Sequence, residues 1–217
     1  MNQELLTDLE LLNKFKQINF HKLDNFFSDF FIEYSDSIEI RHLNLMEDLY
    51  KKLKNAPVPN FSRFGMKQFY HREFYFDDED FFSLYWDIEL ATKIIKRNKL
   101  KPEAVPVKYL LDGLTQLNPS KVQSCINFTK VNPIFIVAYD PHNTVIVIDG
   151  NHRVKAQELK RNPYIDAYLL NDTLSMECMA GDIFRYLYAV HTNATLLVNS
   201  IENQSYNGNL DDLLIKL

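Results

Sequence analysis

Apolar residues recur at three- and four-residue intervals through the first 55 residues of the chain, beginning with Leu5, Leu9 and Leu12. The later members of this stripe are Leu23, Phe26, Phe27, Phe30, Phe31, Leu43, Met46, Leu49 and Leu53. Such spacing puts apolar side chains on one face of a helix, so residues 1 to about 55 are predicted to be helical. Pro57 and Pro59 end the pattern, because proline lacks the N–H that a helix interior needs.

Aromatic residues are concentrated in the next segment. Residues 61–86 hold eleven of the chain's aromatic side chains, which comprise 16 Phe, 12 Tyr and 1 Trp. Because aromatic side chains bury large apolar areas, packing of the helical region against its neighbour is the favoured interpretation. A base-stacking platform or a surface for a protein partner is the alternative.

A cluster of acidic residues predicts the start of a further helix. Asp77 is a suitable N-cap, and the acids at 78–80 complement the positive end of the helix dipole. Basic residues at 93–97 suit the other end, so a helix is predicted from about 78 to 98. The same acids could bind a metal ion, but no histidine or second carboxylate pair stands at a matching offset, and no metal is assigned.

Short β-branched segments dominate the second half of the chain. Residues 134–139 and 144–148 are predicted to form a buried hairpin, with a turn at 140–143 that has proline in its second position. Upstream, Val105-Pro106-Val107 is predicted to open a strand, and Asn118 is predicted to cap a short helix that runs through Ile126.

The remaining pattern predicts a helix at 152–161, which Asn162-Pro163 stops, and then a strand at 164–170. Residues 173–217 look mainly helical. The fold class predicted from these elements is α+β. Three segments are predicted: a helical, aromatic-rich region at 1–100, a domain with the strands at 101–171, and a helical extension at 172–217.

Composition and charge limit the classes of protein to which the chain can belong. The chain is 46% hydrophobic and 24% charged, which is typical of folded globular proteins. Its net charge of −5 disfavours a stand-alone DNA-binding protein. The two cysteines, Cys125 and Cys178, lack metal-type spacing. Neither a signal sequence nor a membrane-spanning stretch is visible, so a cytoplasmic protein without a membrane partner is expected.

The turn after the second hairpin strand carries the clearest candidate chemistry. Gly150 permits a positive φ angle or the close approach of a ligand, and the first amides of the following helix are free to bind an anion. Asn151 could cap that helix, and His152, Arg153 and Lys155 add hydrogen-bond donors and positive charge. The turn is therefore a candidate phosphate-binding site.

Other interpretations of this turn stay open. Asp-Gly-Asn is common turn chemistry, and an arginine in the first turn of a helix can pair with a nearby carboxylate. Asp149 and His152 are the candidate catalytic residues. A lone histidine is more often packed or solvated than catalytic, whereas a carboxylate at the end of an apolar strand is costly to bury without a partner or a role.

These residues resemble the ParB/sulfiredoxin-like superfamily. The resemblance covers roughly residues 103–171 and is carried by Val105-Pro106-Val107 with Leu110, by Asn132-Pro133-Ile134, and by the run from Val147 to Ala156 that contains Asp149-Gly150-Asn151-His152-Arg153. It implies a small mixed β-sheet with helices. It also implies that residues 150–153 bind the phosphates of a nucleotide, namely ATP, ADP or CTP, with or without Mg²⁺.

Several functions are compatible with that resemblance. The turn is similar to the Asp-Gly-His-X-Arg type found in free serine kinases of the superfamily, which implies a role for Asp149 in phosphoryl transfer. The expected function is nucleotide binding, with phosphotransferase or hydrolase activity as a possible extension. The alternatives are a regulatory module whose protein partner binds at 61–86, and a DNA-acting regulator or nuclease of plasmid or phage type, which is not favoured. Sulfiredoxin chemistry is disfavoured, because Asn151 stands where that family has a reactive cysteine.

Overall fold

The protein has an α+β fold. The computed structural model describes residues 20–57, 59, 68–75, 81–115, 117–139, 144–202 and 209–217. By contacts the chain divides into two compact units. The first comprises Met1–Lys67, Arg72–Tyr85 and Met179–Leu217, and the second comprises Gln68–His71 and Trp86–Cys178. The three segments expected from the sequence remain a prediction about domain organisation.

The first unit is mainly helical. Its helices are α1 (Phe20–Tyr34), α2 (Ile40–Asn55), α7 (Asp182–Glu202) and α8 (Leu210–Leu213). The apolar stripes of α1, α2 and α7 form one core, whose most buried members include Phe27, Met46, Leu49, Ala189 and Leu197. The helical prediction is thus confirmed for residues 20–34 and 40–55 and for most of the described tail. The start of the stripe at Leu5, Leu9 and Leu12 lies outside the described residues.

A two-stranded sheet is formed by β1 (Phe69–Tyr75) and β2 (Phe81–Asp87), and it corrects the helix predicted at 78–98. The helix α3 runs only from Ile88 to Arg97, and its N-cap is Asp87, whose carboxylate accepts from the Leu90 amide at 2.9 Å. Aromatic residues are enriched in strands, and the pairing of β2 with β1 stabilises the strand at 81–87. Residues 76–80, which include the predicted cap Asp77, are outside the described residues.

Among the described aromatics of this segment, burial is the rule. Tyr70, Phe74, Phe82, Tyr85 and Trp86 are all buried, as the packing interpretation expects. The base-stacking platform and the protein-partner surface at 61–86 stay predictions, and residues 61–67 are not among those described.

The second unit contains a four-stranded mixed sheet in the order β3-β6-β4-β5. The strands are β3 (Glu103–Pro106), β4 (Ile134–Tyr139), β5 (Thr144–Asp149) and β6 (Tyr164–Leu170), and a 3₁₀ turn at Val107–Tyr109 follows β3. β4 pairs antiparallel with β5 and parallel with β6, and β3 pairs antiparallel with β6. The helices are α3, α4 (Pro119–Ile126), α5 (Asn151–Leu159) and α6 (Asp172–Glu177).

One face of this sheet is covered by a compact apolar core. Ile134, Ile136 and Val147 of the hairpin pack with Val154 of α5 and with Val107 of the 3₁₀ turn. The predicted hairpin, the capped helix α4, the helix α5 and the strand β6 are therefore confirmed within a residue or two. The hairpin turn at 140–143 lies outside the described residues. In the part of the chain that the structure describes, no helix has the length and apolar character to cross a lipid bilayer.

Candidate functional site

A bulge at the end of β5 sets the position of Asp149. Ile136 pairs with Val147, but Phe135 pairs with Asp149, so Ile148 is an extra residue in the ladder. Without it, Asp149 would pair with Ile134, whose side chain lies in the core. Because side chains alternate between the two faces of a sheet, the one-residue shift keeps the carboxylate out of the core. Asp149 is accordingly only partly buried, with 27% of its side chain exposed.

Gly150 connects β5 to α5 in a conformation that glycine alone adopts readily. Its φ angle is +110°, in the left-handed region. A Cβ atom added here would lie 2.9 Å from Ile134 Cβ and closer still to Ile134 Cγ2, and it would lie 3.1 Å from Arg153 Nε. Both the backbone angle and the close approach of Ile134 therefore require glycine.

The first turn of α5 presents three backbone amides. The first intrahelical hydrogen bond runs from the Val154 amide to the Gly150 carbonyl at 3.0 Å. Among the described residues, no side chain or carbonyl accepts from the amides of Asn151, His152 or Arg153. Gly150 occupies the N-cap position, so the prediction that Asn151 caps the helix is wrong. Glycine has no side-chain acceptor, and the amides at the helix start are left open.

The guanidinium of Arg153 braces the turn. One of its nitrogens donates to the carbonyls of Asn132 and Pro133, at 2.9 Å each, and the other donates to Asp149 Oδ2 at 2.7 Å. Only 17% of the side chain is exposed. The pairing of Arg153 with a nearby carboxylate, left open by the sequence, is thus present. A contact between Arg153 and a phosphate stays a prediction.

His152 joins α5 to the start of α4. Its Nε2 accepts a hydrogen bond from the Asn118 amide at 3.0 Å, so the ring is neutral with its proton on Nδ1. Burial lowers the pKa of His152 below its ordinary value, and the positive charge of Lys121 lowers it further. Asn118 in turn caps α4 by accepting from the amides of Ser120 and Lys121. In this arrangement Nε2 is an acceptor that is already occupied.

Asn151 and Lys155 complete the predicted set. Asn151 is 8% exposed, and its Oδ1 is buried with no hydrogen-bond partner among the described residues. A buried acceptor without a donor is costly, because it gives up hydrogen bonds to water and gains none in the fold. Lys155 forms an ion pair with Glu158 one turn further along α5. Its charge is therefore partly neutralised before any phosphate arrives.

The residues predicted from sequence are thus brought together, but their partners come from elsewhere in the chain. Ile134, Asn132, Pro133, Asn118 and Lys121 contribute to the turn, and no spacing in the sequence indicates their contacts. No group of three or more His, Cys, Asp or Glu side chains is arranged to hold a metal ion in the described portion of the chain. Comparison of the chain with protein-family models, with curated proteins and with solved structures gave no match.

Proposed function

We propose that this protein binds a nucleotide through its phosphates at the turn formed by residues 149–153. The observation that carries the proposal is the set of three successive open amides at the start of α5. Such amides point along the helix axis at the positive end of the helix dipole, and they bind phosphate without any side chain. The αL glycine before them allows a ligand to approach the backbone closely.

The charges around the turn support binding by amides more than by side chains. Arg153 is paired with Asp149, and His152 is neutral, so neither offers a free positive charge. Lys121 is exposed and close enough to lower the pKa of His152. It is the cation best placed to add attraction for a phosphate. The resemblance to the ParB/sulfiredoxin-like superfamily supports ATP, ADP or CTP as the ligand.

Binding is favoured over catalysis because both candidate catalytic residues are already engaged. Asp149 Oδ2 is bonded to Arg153, and His152 Nε2 accepts from Asn118. One observation favours a phosphotransferase as a second candidate: Asp149 Oδ1 has no partner among the described residues and could contact a hydroxyl or Mg²⁺. Turnover of ATP, ADP or CTP that is lost in Asp149→Asn would support that second candidate.

The binding proposal is tested by thermal unfolding with ATP, ADP, CTP or inorganic phosphate. A ligand at about one hundred times its Kd stabilises the folded state by about 2.7 kcal/mol, which raises Tm by about 5–10 °C for a chain of this size. Lys121→Glu should reduce that shift, because it reverses a charge beside the open amides. Lys93→Glu, at an exposed lysine of α3, makes the same change in net charge and should keep the full shift.

Arg153→Ala is a poor choice for this test, since it also removes three hydrogen bonds that hold the turn together. Two outcomes would contradict the proposal. One is the absence of a Tm shift with every nucleotide. The other is an equal shift in Lys121→Glu and Lys93→Glu, which would place the nucleotide away from this turn.

A further inference from the structure

A second surface of the same unit has a different chemistry. A cleft of about 560 Å³ lies beyond the C-terminal end of α5, between the 3₁₀ turn and the loop that leads into β6. Its volume is in the range of ligand-binding clefts. Backbone contacts join the two sides of the cleft to each other: the Val107 amide donates to the Pro163 carbonyl at 2.9 Å, and Pro106 pairs with Tyr164 across β3 and β6.

Two tyrosine rings in this cleft face solvent. Tyr109 is 68% exposed and Tyr164 is 58% exposed, whereas Val107, which also lines the cleft, is buried. Tyr109 also lies under a lysine, since Lys108 Nζ is 4.7 Å from the centre of its ring. Exposed aromatic rings beside cations are the elements with which proteins stack unpaired bases and bind their phosphates.

Arg161 is the second cation of the cleft, and its backbone has a strained conformation. It lies just beyond the end of α5 with φ +57°, where glycine is the usual residue. Its amide donates to the Glu158 carbonyl at 2.8 Å, and the next amide, of Asn162, donates to Gln157, so the helix end is already satisfied by the backbone. Among the described residues, neither Arg161 nor Lys108 has an acidic partner. The fold therefore does not need the Arg161 side chain.

We propose that this cleft binds single-stranded nucleic acid, with bases stacked on Tyr109 and Tyr164 and phosphates bound by Lys108 and Arg161. A proline-rich peptide would use the rings but not the two cations, which lack acidic partners among the described residues. An acidic peptide would use the cations but not the rings. Glu158, the one acid among the described residues that line the cleft, forms an ion pair with Lys155, so the local charge favours a polyanion despite the net charge of −5.

The test measures binding of a fluorescent oligothymidylate of about twelve nucleotides by anisotropy, at low and fourfold higher salt. Two phosphate contacts predict that log K falls with log salt with a slope of about −1.4, a loss of about sevenfold over that range. Tyr164→Ala should weaken binding by at least about fivefold with the slope unchanged. Arg161→Gly should weaken binding and lower the slope to about −0.7.

Lys99→Gly is the matched control for Arg161→Gly. Lys99 also has a positive φ, +51°, just beyond a helix end, and its backbone makes the same type of closing hydrogen bonds, from Lys99 to Lys96 and from Leu100 to Ile95. Both variants remove one positive charge and relax one αL residue, so neither should lower Tm. Only Arg161→Gly should weaken oligonucleotide binding.

Three results would overturn the proposal: no binding of the oligonucleotide at low salt, binding that is unaffected by both cleft variants, or equal weakening by Lys99→Gly and Arg161→Gly. Lys121→Glu, which alters the turn at the other end of α5, should leave oligonucleotide binding intact. The two surfaces are thereby tested independently.

Discussion

Replacing Gly150 by alanine tests the geometry on which the candidate site depends. The new methyl group would meet two separate obstacles. The backbone would have to keep a φ of +110°, and left-handed conformations cost an L-residue about 1–2 kcal/mol. The methyl group would also press on Ile134, which is fully buried, and overpacking of this kind costs about 1–3 kcal/mol.

Together these effects predict that Gly150→Ala lowers the free energy of unfolding by about 2–5 kcal/mol. Alanine also restricts the unfolded chain more than glycine does, and this effect offsets about 0.4–1 kcal/mol of the loss. The remaining loss is a large part of the stability of an ordinary domain, about 5–15 kcal/mol. The midpoint of urea unfolding should therefore fall clearly.

The assay can follow Trp86, the chain's one tryptophan, which is fully buried in the same unit as the turn. Gly150→Asn separates the two obstacles, because asparagine tolerates the left-handed region but retains the Cβ clash. It should be less destabilising than Gly150→Ala. Ile134→Ala removes the Cγ2 atom in the way, so the double variant should cost less than the sum of the single changes.

A Gly150→Ala protein with the wild-type urea midpoint would refute this reasoning, since neither the positive φ nor the approach of Ile134 could then be essential. If the effects of Gly150→Ala and Ile134→Ala were strictly additive in the double variant, the clash with Ile134 would be refuted and the backbone angle would be the sole cause of the loss.

Three further predictions concern Arg153, His152 and Asp87. Arg153→Lys keeps the charge, but the single lysine nitrogen cannot occupy both positions from which the two guanidinium nitrogens donate. Urea unfolding should therefore show a loss of about 1–3 kcal/mol, and an unchanged midpoint would show that these bonds contribute nothing. Burial, and to a smaller extent the charge of Lys121, lowers the pKa of His152 in the folded protein. The neutral ring therefore contributes its full stabilisation above the unfolded pKa of about 6.5, and this contribution is lost as the pH falls through the folded pKa. His152→Gln should flatten the dependence of Tm on pH in that window, and a parallel profile in the variant would contradict the assignment. Asp87→Ala should lower the free energy of unfolding by about 0.5–2 kcal/mol, because the cap of α3 is lost. Asp87→Asn should keep most of the stability, because asparagine is also a good N-cap. Urea unfolding measures both variants, and an equal loss in the two would argue against capping.

Short sequence patterns were enough to predict those helices and strands whose formation depends on their own residues. The Asn118 cap of α4, the β-branched strands β4 and β5, and the stop of α5 before Pro163 are all present as predicted from short stretches of sequence. The paired strands β1 and β2 were both missed. The acidic neighbours of β2 resemble a helix start, and the pairing of the two strands depends on residues that no local pattern connects.

The sequence by itself determined that residues 149–153 form a strand-to-helix turn that contains a glycine, because the β-branched run, the glycine and the helical pattern are contiguous. Only the tertiary structure decided what each side chain there does. Arg153 bonds carbonyls 20 and 21 residues earlier, and His152 bonds an amide 34 residues earlier. The bulge that moves Asp149 out of the core exists only in the pairing of β5 with β4. Contacts between distant residues depend on how strands and helices pack, and packing is a property of the folded chain as a whole.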